Sequence, residues 1–252
     1  MNLSAVIITL NEEKNIARCL ESLQGIADEI VVVDSFSSDR TETICKSYGV
    51  RFMQQQFEGH IQQKNFALNQ ASGDWILSLD ADEALDEALK KNILGVKSNS
   101  ACSGYTMNRL TNYCGHWVRH CGWYPDSKLR LVKRDAAKWT GVNPHDRLEL
   151  INNEKTIHLG GDILHYSYYT RQDHLLQIEY FSSIAALELH QQKSSTNWFI
   201  IIAKVVAQFT KSYFLKAGFL DGTTGFTISR LSAYATYRKY YKLKQFHAGK
   251  EI

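Results

Sequence analysis

The chain has 252 residues, of which 44% are hydrophobic and 22% are charged, and its formal net charge is +3. This length can bury the core of one domain of roughly 190 residues and still leave an appendage. Two prolines, with no Gly/Ser-rich or low-complexity stretch and no internal repeat, argue against a long flexible linker.

A run of apolar, mostly β-branched residues at 3–10 predicts the first strand. Asn11 follows it, and we expect its side chain to cap a helix. The apolar residues of that helix fall on one face: Ile16, Leu20 and Leu23.

The strand-then-helix pattern continues through the first hundred residues. Further strands are predicted at 30–33, 50–53 and 75–79, and further helices at 40–48, 61–70 and 83–94. Apolar strands that alternate with helices are typical of a parallel sheet with both faces covered. The sequence therefore predicts an α/β fold.

Polar side chains follow three of these strands. Thr9 and Asn11 follow the first, Asp34 follows the second, and Asp80 and Asp82 follow the fourth. The carboxyl ends of parallel strands meet at one edge of a sheet, which is where such folds bind ligands. We therefore expect these side chains to share one site.

Asp80 and Asp82 stand one residue apart at the end of a buried strand. Two carboxylates there can hold a hard divalent cation, Mg²⁺ or Mn²⁺, with open positions for a nucleotide diphosphate. The alternative is that the pair complements the N-terminal dipole of the next helix. Neither G-x-G-x-x-G nor G-x-x-x-x-G-K-[ST] is present, so a Rossmann-type dinucleotide site and a P-loop are unsupported.

Several segments together match a known family. The first four are residues 5–12, 29–41, 64–68 and 71–83. In order and spacing they resemble the nucleotide-sugar half of glycosyltransferase family 2. Residues 115–117, 122–126, 128–131, 142–148 and 218–222 resemble the branch that includes bacterial lipopolysaccharide inner-core β-1,4-glucosyltransferases. The resemblance covers nearly the whole chain and implies the GT-A fold and inversion of the anomeric carbon.

The resemblance implies a role for the polar residues after the first two strands. Asp34 is expected to read the base or ribose of a uridine-type nucleotide, and Thr9 and Asn11 are expected to line the same pocket. Relatives often carry two acids after the second strand, whereas Ser35 stands in the second position here. A strand end and a helix cap would also explain Thr9 and Asn11.

The resemblance also implies a metal and diphosphate site. Lys64 is expected near the diphosphate, Asp80 near the ribose and metal, and Asp82 as a direct metal ligand. His165 resembles the histidine that completes the metal site in many GT-A enzymes, and an imidazole favours Mn²⁺ over Mg²⁺. An exposed helix lysine and a packed histidine are the alternatives.

An inverting transfer needs one base across the sugar from the metal. Asp146 is the candidate, because it stands with His145 where relatives carry a His-Glu pair. The alternative is an ion pair between Asp146 and the adjacent Arg147 in a surface loop.

The loops within residues 98–140 are expected to contact the acceptor, since they are rich in aromatic residues that stack on sugar faces. The candidate acceptor-binding residues are Trp117, Trp123, Tyr124 and His145. A zinc site is the alternative for one of these loops, with the ligands Cys114, His116, His120 and Cys121. Zinc motifs usually place closely spaced ligand pairs on separate hairpins, so the acceptor loop is favoured.

Residues 191–252 carry eight Lys and two Arg against two acidic residues, a net +8, and are dense in aromatic residues. We expect this tail to lie on an anionic membrane surface. Three lysines interrupt its apolar stretches and predict that it does not span the bilayer: Lys204, Lys211 and Lys216. The alternative is a helical pair packed on the catalytic domain or on a second copy in a homodimer. No nucleic-acid-binding module accompanies the charge.

Five cysteines, an odd number, without a secretory signal at the N-terminus indicate a reducing, cytoplasmic location, which with this tail becomes the inner face of the cytoplasmic membrane. We expect a GT-A catalytic domain over 1–190, with a nucleotide-sugar half (1–97) and an acceptor half (98–190), and a helical tail over 191–252.

Taken with the resemblance, the sequence predicts a metal-dependent inverting glycosyltransferase. It would move a hexose, glucose from UDP-glucose, to a lipid-linked glycan such as the lipopolysaccharide core. One alternative is a sugar-phosphate nucleotidyltransferase, which usually has a Gly-rich basic loop after its first strand. The other is a non-catalytic carbohydrate-binding protein on the same scaffold.

Overall fold

The computed structural model describes residues 1–98, 101–142, 145–152 and 154–249. Its contacts divide the chain into two compact units. The first is formed by Met1–Leu110 and Asp126–Tyr166, and the second by Thr111–Pro125 and Ser167–Ile252.

Four parallel strands form one half of the sheet in the first unit: β1 (Leu3–Thr9), β2 (Glu29–Asp34), β3 (Arg51–Gln54) and β4 (Trp75–Asp80). They lie in the order β3-β2-β1-β4. Thr9 pairs with Asp34, and Ile8 pairs with Asp80. The predicted parallel sheet is confirmed, and its register sets the polar strand ends side by side.

Helices cover both faces of these strands: α1 (Ile16–Leu23), α2 (Thr41–Ser47), α3 (His60–Gln70) and α4 (Glu87–Ser98). Leu20 of α1 and Leu89 of α4 join the core on one face, which also contains Leu77 of β4. Ala67 of α3 joins the core on the other face with Val33 of β2. Burial on both faces explains why the strands are apolar throughout.

Two predicted helix starts are wrong. Asn11 does not cap α1, which begins at Ile16 with Asn15 in the N-cap position. Asn11 instead has φ +55°, and its Oδ1 accepts a hydrogen bond from the Ser38 N–H at 2.8 Å. The helix expected from residue 83 begins at Glu87, because Glu83 opens a short strand, β5 (Glu83–Leu85).

Beyond β4 the sheet continues with antiparallel strands. Their ranges are β6 (Gly104–Tyr113), β7 (His116–Trp117), β8 (Ser127–Lys133) and β11 (Ile157–Tyr168), with a separate hairpin of β9 (Ala137–Val142) and β10 (His145–Leu150). The order after β4 is β8-β6-β11-β5. Leu148 of the hairpin and Trp139 add to the core around α3.

The second unit is largely helical. It contains α5 (Arg171–Gln191), α6 (Trp198–Thr210), a π-helical segment (Lys211–Leu215), a 3₁₀ turn (Gly218–Asp221) and α7 (Gly222–His247). Arg238 and Lys242 of α7 lie 2.7 and 3.1 Å from Glu179 of α5. The C-terminal helices are therefore present. The ion pairs connect α7 to α5, and the expected boundary at residue 190 lies next to the last residue of α5.

One helical stretch among the described residues is long and apolar enough to cross a membrane by length and composition alone. It covers Trp198–Leu215, with a mean hydropathy of 1.3. Lys204 and Lys211 are its two charged residues. Length and composition alone therefore do not exclude a spanning segment, and the expected interfacial position of the tail stays a prediction.

Candidate active site

Asp34 is fully buried at the end of β2, and three donors hold its carboxylate. Thr9 Oγ1 donates to Oδ1 at 2.8 Å, the Ser37 N–H donates to Oδ2 at 2.8 Å, and the Ser37 hydroxyl donates to Oδ1. The Asn11 N–H donates to Ser37 Oγ at 2.7 Å. The structure thus brings Thr9, Asn11 and Asp34 into one hydrogen-bonded cluster.

Lys64 joins two carboxylates that are far apart in sequence. Its Nζ lies 2.9 Å from Asp80 Oδ1 and 2.8 Å from Asp146 Oδ2. The same Nζ lies 4.2 Å from the centroid of the Trp139 ring, and the side chain is 8% exposed. Lys64 is therefore a buried, paired cation.

The hairpin that carries Asp146 is fastened to α3 beside this lysine. Asn65 Nδ2 donates to the Trp139 carbonyl oxygen at 2.9 Å, and the Trp139 N–H donates to Asn65 Oδ1 at 2.9 Å. This two-way amide pairing fixes the position of β9, and Asp146 pairs with Gly141 on that strand. The position of the candidate base is thereby set by the residue next to Lys64.

Arg130 and Glu83 complete the charged cluster, and sequence reasoning missed both as site residues. Arg130 Nη2 lies 2.8 Å from Glu83 Oε1 and 3.2 Å from Asp80 Oδ2. The exposed fractions of the two side chains are 3% and 0%. The sequence offered one signal for each residue. Arg130 stands between two leucines in the segment 128–131, and Glu83 ends the acidic segment 80–83.

The cluster favours the ionised form of Asp80. Burial opposes ionisation, but the charges of Lys64 and Arg130 outweigh it and hold the pKa of Asp80 well below its usual range. Burial likewise opposes the charge on Arg130, yet Glu83 and Asp80 raise the pKa of its guanidinium. Asp80 is therefore an anion fixed between two cations.

Three buried donors beside this cluster have no hydrogen-bond acceptor among the described residues. They are Arg130 Nε, Arg130 Nη1 and Trp139 Nε1. Buried polar groups are almost always paired with protein or with ordered water. We therefore expect an oxygen from water or a ligand to accept from them.

Asp82 and His165 are in direct contact. His165 Nε2 lies 3.1 Å from Asp82 Oδ2, and the Asp82 carbonyl oxygen accepts from the Tyr166 N–H at 2.9 Å. Pairing of β11 with β5 sets His165 opposite Glu83. Burial lowers the pKa of His165, but the charge and hydrogen bond of Asp82 outweigh it, so that the pKa is raised.

These residues fit a divalent cation that is bound together with phosphate. Asp82 supplies carboxylate oxygens and His165 an imidazole, while Asp80 has its two oxygens on Lys64 and Arg130. In the part of the chain that the structure describes, no three His, Cys, Asp or Glu side chains form a metal cluster. Two protein ligands suffice for an ion that also takes water and substrate phosphate oxygens.

Glu12 is a further titratable group that sequence reasoning did not single out. Burial raises its pKa to about 7, against a hydrogen bond from Asn15 and with contributions from the charges of Asp82 and Asp39. A carboxyl group with this pKa changes charge near neutral pH. The signal for it was its place in the matching segment 5–12.

The predicted acceptor residues Trp117, Trp123 and Tyr124 lie in the second unit. The Trp123 ring packs 5.7 Å from Tyr168 and 5.9 Å from His174, measured between centroids, and lines a cavity of about 350 Å³ next to α5 and α7. The side chain of His145 lies outside the described part of the chain. Acceptor binding by these four residues stays a prediction.

The segment considered for zinc has other partners. His120 Nδ1 and the His120 N–H both lie 2.9 Å from the buried carboxylate of Asp221, on separate oxygens. Cys121 Sγ lies 3.5 Å from the Gly225 carbonyl oxygen, and Cys114 is exposed. These contacts attach the segment to the start of α7. Among the described residues, the four candidate zinc ligands form no metal cluster.

The model of Glycosyl transferase family 2 matches residues 4–174. The chain belongs to glycosyltransferase family 2. Family membership makes the protein an enzyme, and together with the strand order described above it identifies the GT-A fold in this glycosyltransferase.

Curated relatives match along almost the whole glycosyltransferase. The lipopolysaccharide core biosynthesis glycosyltransferase LpsC of Rhizobium meliloti is 29% identical, over 94% of this chain and 93% of its own length. The uncharacterized glycosyltransferase RT0209 of Rickettsia typhi is 28% identical, over 96% of this chain and 87% of its own. Among solved structures, S. aureus TarS 1–349 is 16% identical with a TM-score of 0.47, covering 100% of this chain and 93% of that one.

Proposed function

We propose that this glycosyltransferase moves a hexose from a nucleotide-diphosphate sugar, with UDP-glucose as first choice, to a hydroxyl of a lipid-linked glycan, and inverts the anomeric carbon. The observation that carries the proposal is the convergence of Lys64, Asp80 and Asp146 in one buried cluster at the end of β4. The name of the relative LpsC supports an acceptor of the lipopolysaccharide core class.

The donor nucleotide would bind at the ends of β1 and β2. The Asp34 carboxylate is already fixed by Thr9 and Ser37, so it offers a preorganised acceptor edge to base or ribose hydrogen-bond donors. Asn11 is exposed and is joined to the same cluster through the hydrogen bond from its N–H to Ser37. Preorganised groups bind with less ordering cost than mobile ones.

A Mn²⁺ or Mg²⁺ ion held by Asp82 and His165 would stabilise the negative charge that builds on the leaving diphosphate. Asp80 orients Lys64 and is itself held by Arg130. Lys64 and Arg130 would therefore stand next to the carboxylates at the edge of the sheet where the reaction takes place.

Asp146 would act as the base. Its Oδ2 accepts from Lys64, which leaves Oδ1 to receive the proton of the acceptor hydroxyl. As that hydroxyl oxygen bonds to the anomeric carbon, the bond between this carbon and the diphosphate oxygen breaks on the opposite face. The proton ends on Asp146 and the electron pair on the diphosphate.

We infer that the enzyme is cytoplasmic and peripheral on the inner face of the cytoplasmic membrane. The net +8 of residues 191–252 and the aromatic residues among them support attraction to anionic lipid. A homodimer formed through the tail is the competing arrangement.

A donor screen tests the proposed function. Thermal stabilisation by UDP-glucose, UDP-galactose, GDP-mannose and ADP-glucose is measured with Mn²⁺ and with EDTA, followed by transfer assays on a lipid-linked acceptor. We expect stabilisation by a UDP-sugar that requires the metal. Stabilisation by none of the four with Mn²⁺, or equal stabilisation by all of them, would contradict the donor assignment.

A further inference from the structure

Large apolar side chains of the second unit face solvent along α6 and the turn after it. We call six of them the apolar ridge: Phe199, Ile202, Val206, Phe214, Leu215 and Leu220, each 58–82% exposed. The first three follow helical spacing on one face of α6. Several large apolar side chains exposed on one short segment favour a binding surface for a protein or a membrane.

The ridge is carried by an antiparallel helical hairpin. The ring centroids of Trp198 and Tyr241 lie 6.1 Å apart at one end, and those of Phe209 and Phe226 lie 6.0 Å apart at the other. At the tip, a Cβ added to Gly225 would lie 1.8 Å from the Gly218 carbonyl oxygen. The turn therefore lies directly against α7, and α6 is attached to α7 along its length.

This attachment argues against a spanning α6. Between Phe226 and Tyr241, α7 carries Arg230, Arg238 and Lys239. An α6 that crossed the bilayer together with α7 would take these cations into the hydrocarbon core, where charged side chains are unfavourable. Arg238 is also held to Glu179 of α5, which would have to follow. The hairpin can instead lie along the surface.

The positive charge of residues 191–252 favours a membrane over a second copy of the chain as the partner of the ridge. Lys204, Lys211 and Lys216 interrupt the apolar sequence and are exposed. Packing two ridges together would bring two segments of net charge +8 close to one another. Anionic lipid headgroups would instead attract the same lysines.

We propose that the apolar ridge inserts into a single leaflet of an anionic membrane, with α6 lying along the interface and no segment crossing. The ridge would enter to a depth of about 5–10 Å, as amphipathic helices do at such interfaces. The inference rests on the proposed function, because a lipid-linked acceptor requires an enzyme at the membrane, and it adds the surface and its orientation.

Flotation with liposomes tests the surface. The wild type, the double variant Ile202→Glu/Leu215→Glu and the control Leu176→Glu are compared on phosphatidylcholine vesicles with and without phosphatidylglycerol. Leu176 lies on α5 in the same unit and is 61% exposed, as is Ile202. We expect the wild type and the control to float with anionic vesicles, and the double variant to partition about ten-fold less or weaker still.

Three outcomes would overturn the proposal: a folded double variant that floats as well as the wild type, a control that is lost equally, or a wild type that ignores anionic vesicles at low salt. A wild type that elutes as a dimer, which Leu215→Glu converts to monomer, would make the ridge a subunit interface instead. UDP-sugar binding by the same variants reports separately on the proposed transferase function.

Thiol labelling tests the orientation. Ser195→Cys and Thr223→Cys flank the candidate span, and each is made together with Cys114→Ser to remove an exposed native thiol. A membrane-impermeant maleimide is added outside sealed vesicles that carry the bound protein. We expect both introduced thiols to react. Protection of Thr223→Cys that only detergent relieves would show a crossing helix and overturn the single-leaflet arrangement.

Discussion

The Lys64 ammonium lies 2.8 Å from the carboxylate of Asp146, although α3 and the β9–β10 hairpin are about eighty residues apart in sequence. The same ammonium holds Asp80. Without Lys64, two partly buried carboxylates would be left without the cation that separates them, and breaking a fully buried pair of this kind costs roughly 3–5 kcal/mol.

The first prediction therefore concerns Lys64. Lys64→Met should lower the urea midpoint and reduce kcat by about 10² or more, because the base is no longer held in place. Lys64→Arg should recover part of both, since it keeps the charge. Denaturation curves and initial rates of both variants check this, and a Lys64→Met enzyme with wild-type stability and kcat would contradict the role.

Asp146→Asn should keep donor affinity and lose turnover by roughly 10²- to 10⁴-fold, because the amide cannot accept the proton of the acceptor hydroxyl. Donor titration and kcat measured on the same preparation separate binding from chemistry. Asp135→Asn in the exposed loop before β9 is the control and should behave as the wild type. Turnover within a few-fold of the wild type for Asp146→Asn would move the base elsewhere.

Asp82→Ala should abolish the Mn²⁺-dependent part of nucleotide-diphosphate binding and leave the fold intact, since this side chain is partly exposed and its carboxylate adds no apolar surface to the core. Isothermal titration with UDP, with and without Mn²⁺, measures the effect. The control Asp74→Ala changes an exposed aspartate just before the other end of the same strand. Metal-dependent binding that persists in folded Asp82→Ala protein would remove Asp82 from the site.

Arg130→Met should destabilise the first unit by about 3–5 kcal/mol, because it leaves the fully buried Glu83 carboxylate without its closest cation. Adding Glu83→Gln should restore part of this loss, giving a coupling energy of about 1 kcal/mol or more in a double-mutant cycle. Urea denaturation of the four proteins checks it. Strictly additive effects would mean that the two side chains are not energetically coupled.

His174 should make stability depend on pH. Burial lowers the pKa of its ring from 6.5 to about 4. The unfolded chain therefore binds a proton between these values while the folded chain does not. The contribution to the free energy of unfolding is present above pH 6.5 and is lost as the pH falls towards 4, by at most about 3 kcal/mol.

Urea midpoints at pH 7.5 and 5.0 check this for the wild type and for His174→Phe, which keeps a ring among Tyr113, Trp123 and Tyr168. The variant should lose less stability on acidification. His60→Phe, at an exposed position, should keep the wild-type pH dependence. Equal slopes for wild type and His174→Phe would assign the acid sensitivity to other groups.

The strands and the polar residues at their ends could be predicted from sequence because their signals are local. Thr9, Asp34 and Asp80 each follow an apolar run, and parallel pairing then brings them to one edge. The start of α1 was missed because Asn11 takes a left-handed backbone conformation that its residue type permits but does not require.

The partners within the cluster could not be predicted in the same way. Arg130 lies on β8, which pairs antiparallel with β4, and Glu83 lies on β5 after β4; strand register between distant segments leaves no periodic trace in either one. The resemblance places Lys64 near the diphosphate, which stays a prediction, and it gives no sign of the contacts with Asp80 and Asp146. Ion pairs between remote segments depend on tertiary packing rather than on local pattern.

The hydrogen bonds from His120 to Asp221 limit how the enzyme can be divided or recombined. A protein cut near residue 190 would lose the acceptor for two donors of His120 and the Gly225 carbonyl that faces Cys121. The C-terminal helices are therefore not a detachable module. A chimera that exchanges them between relatives must exchange residues 111–125 as well, so that both sides of this contact come from one parent.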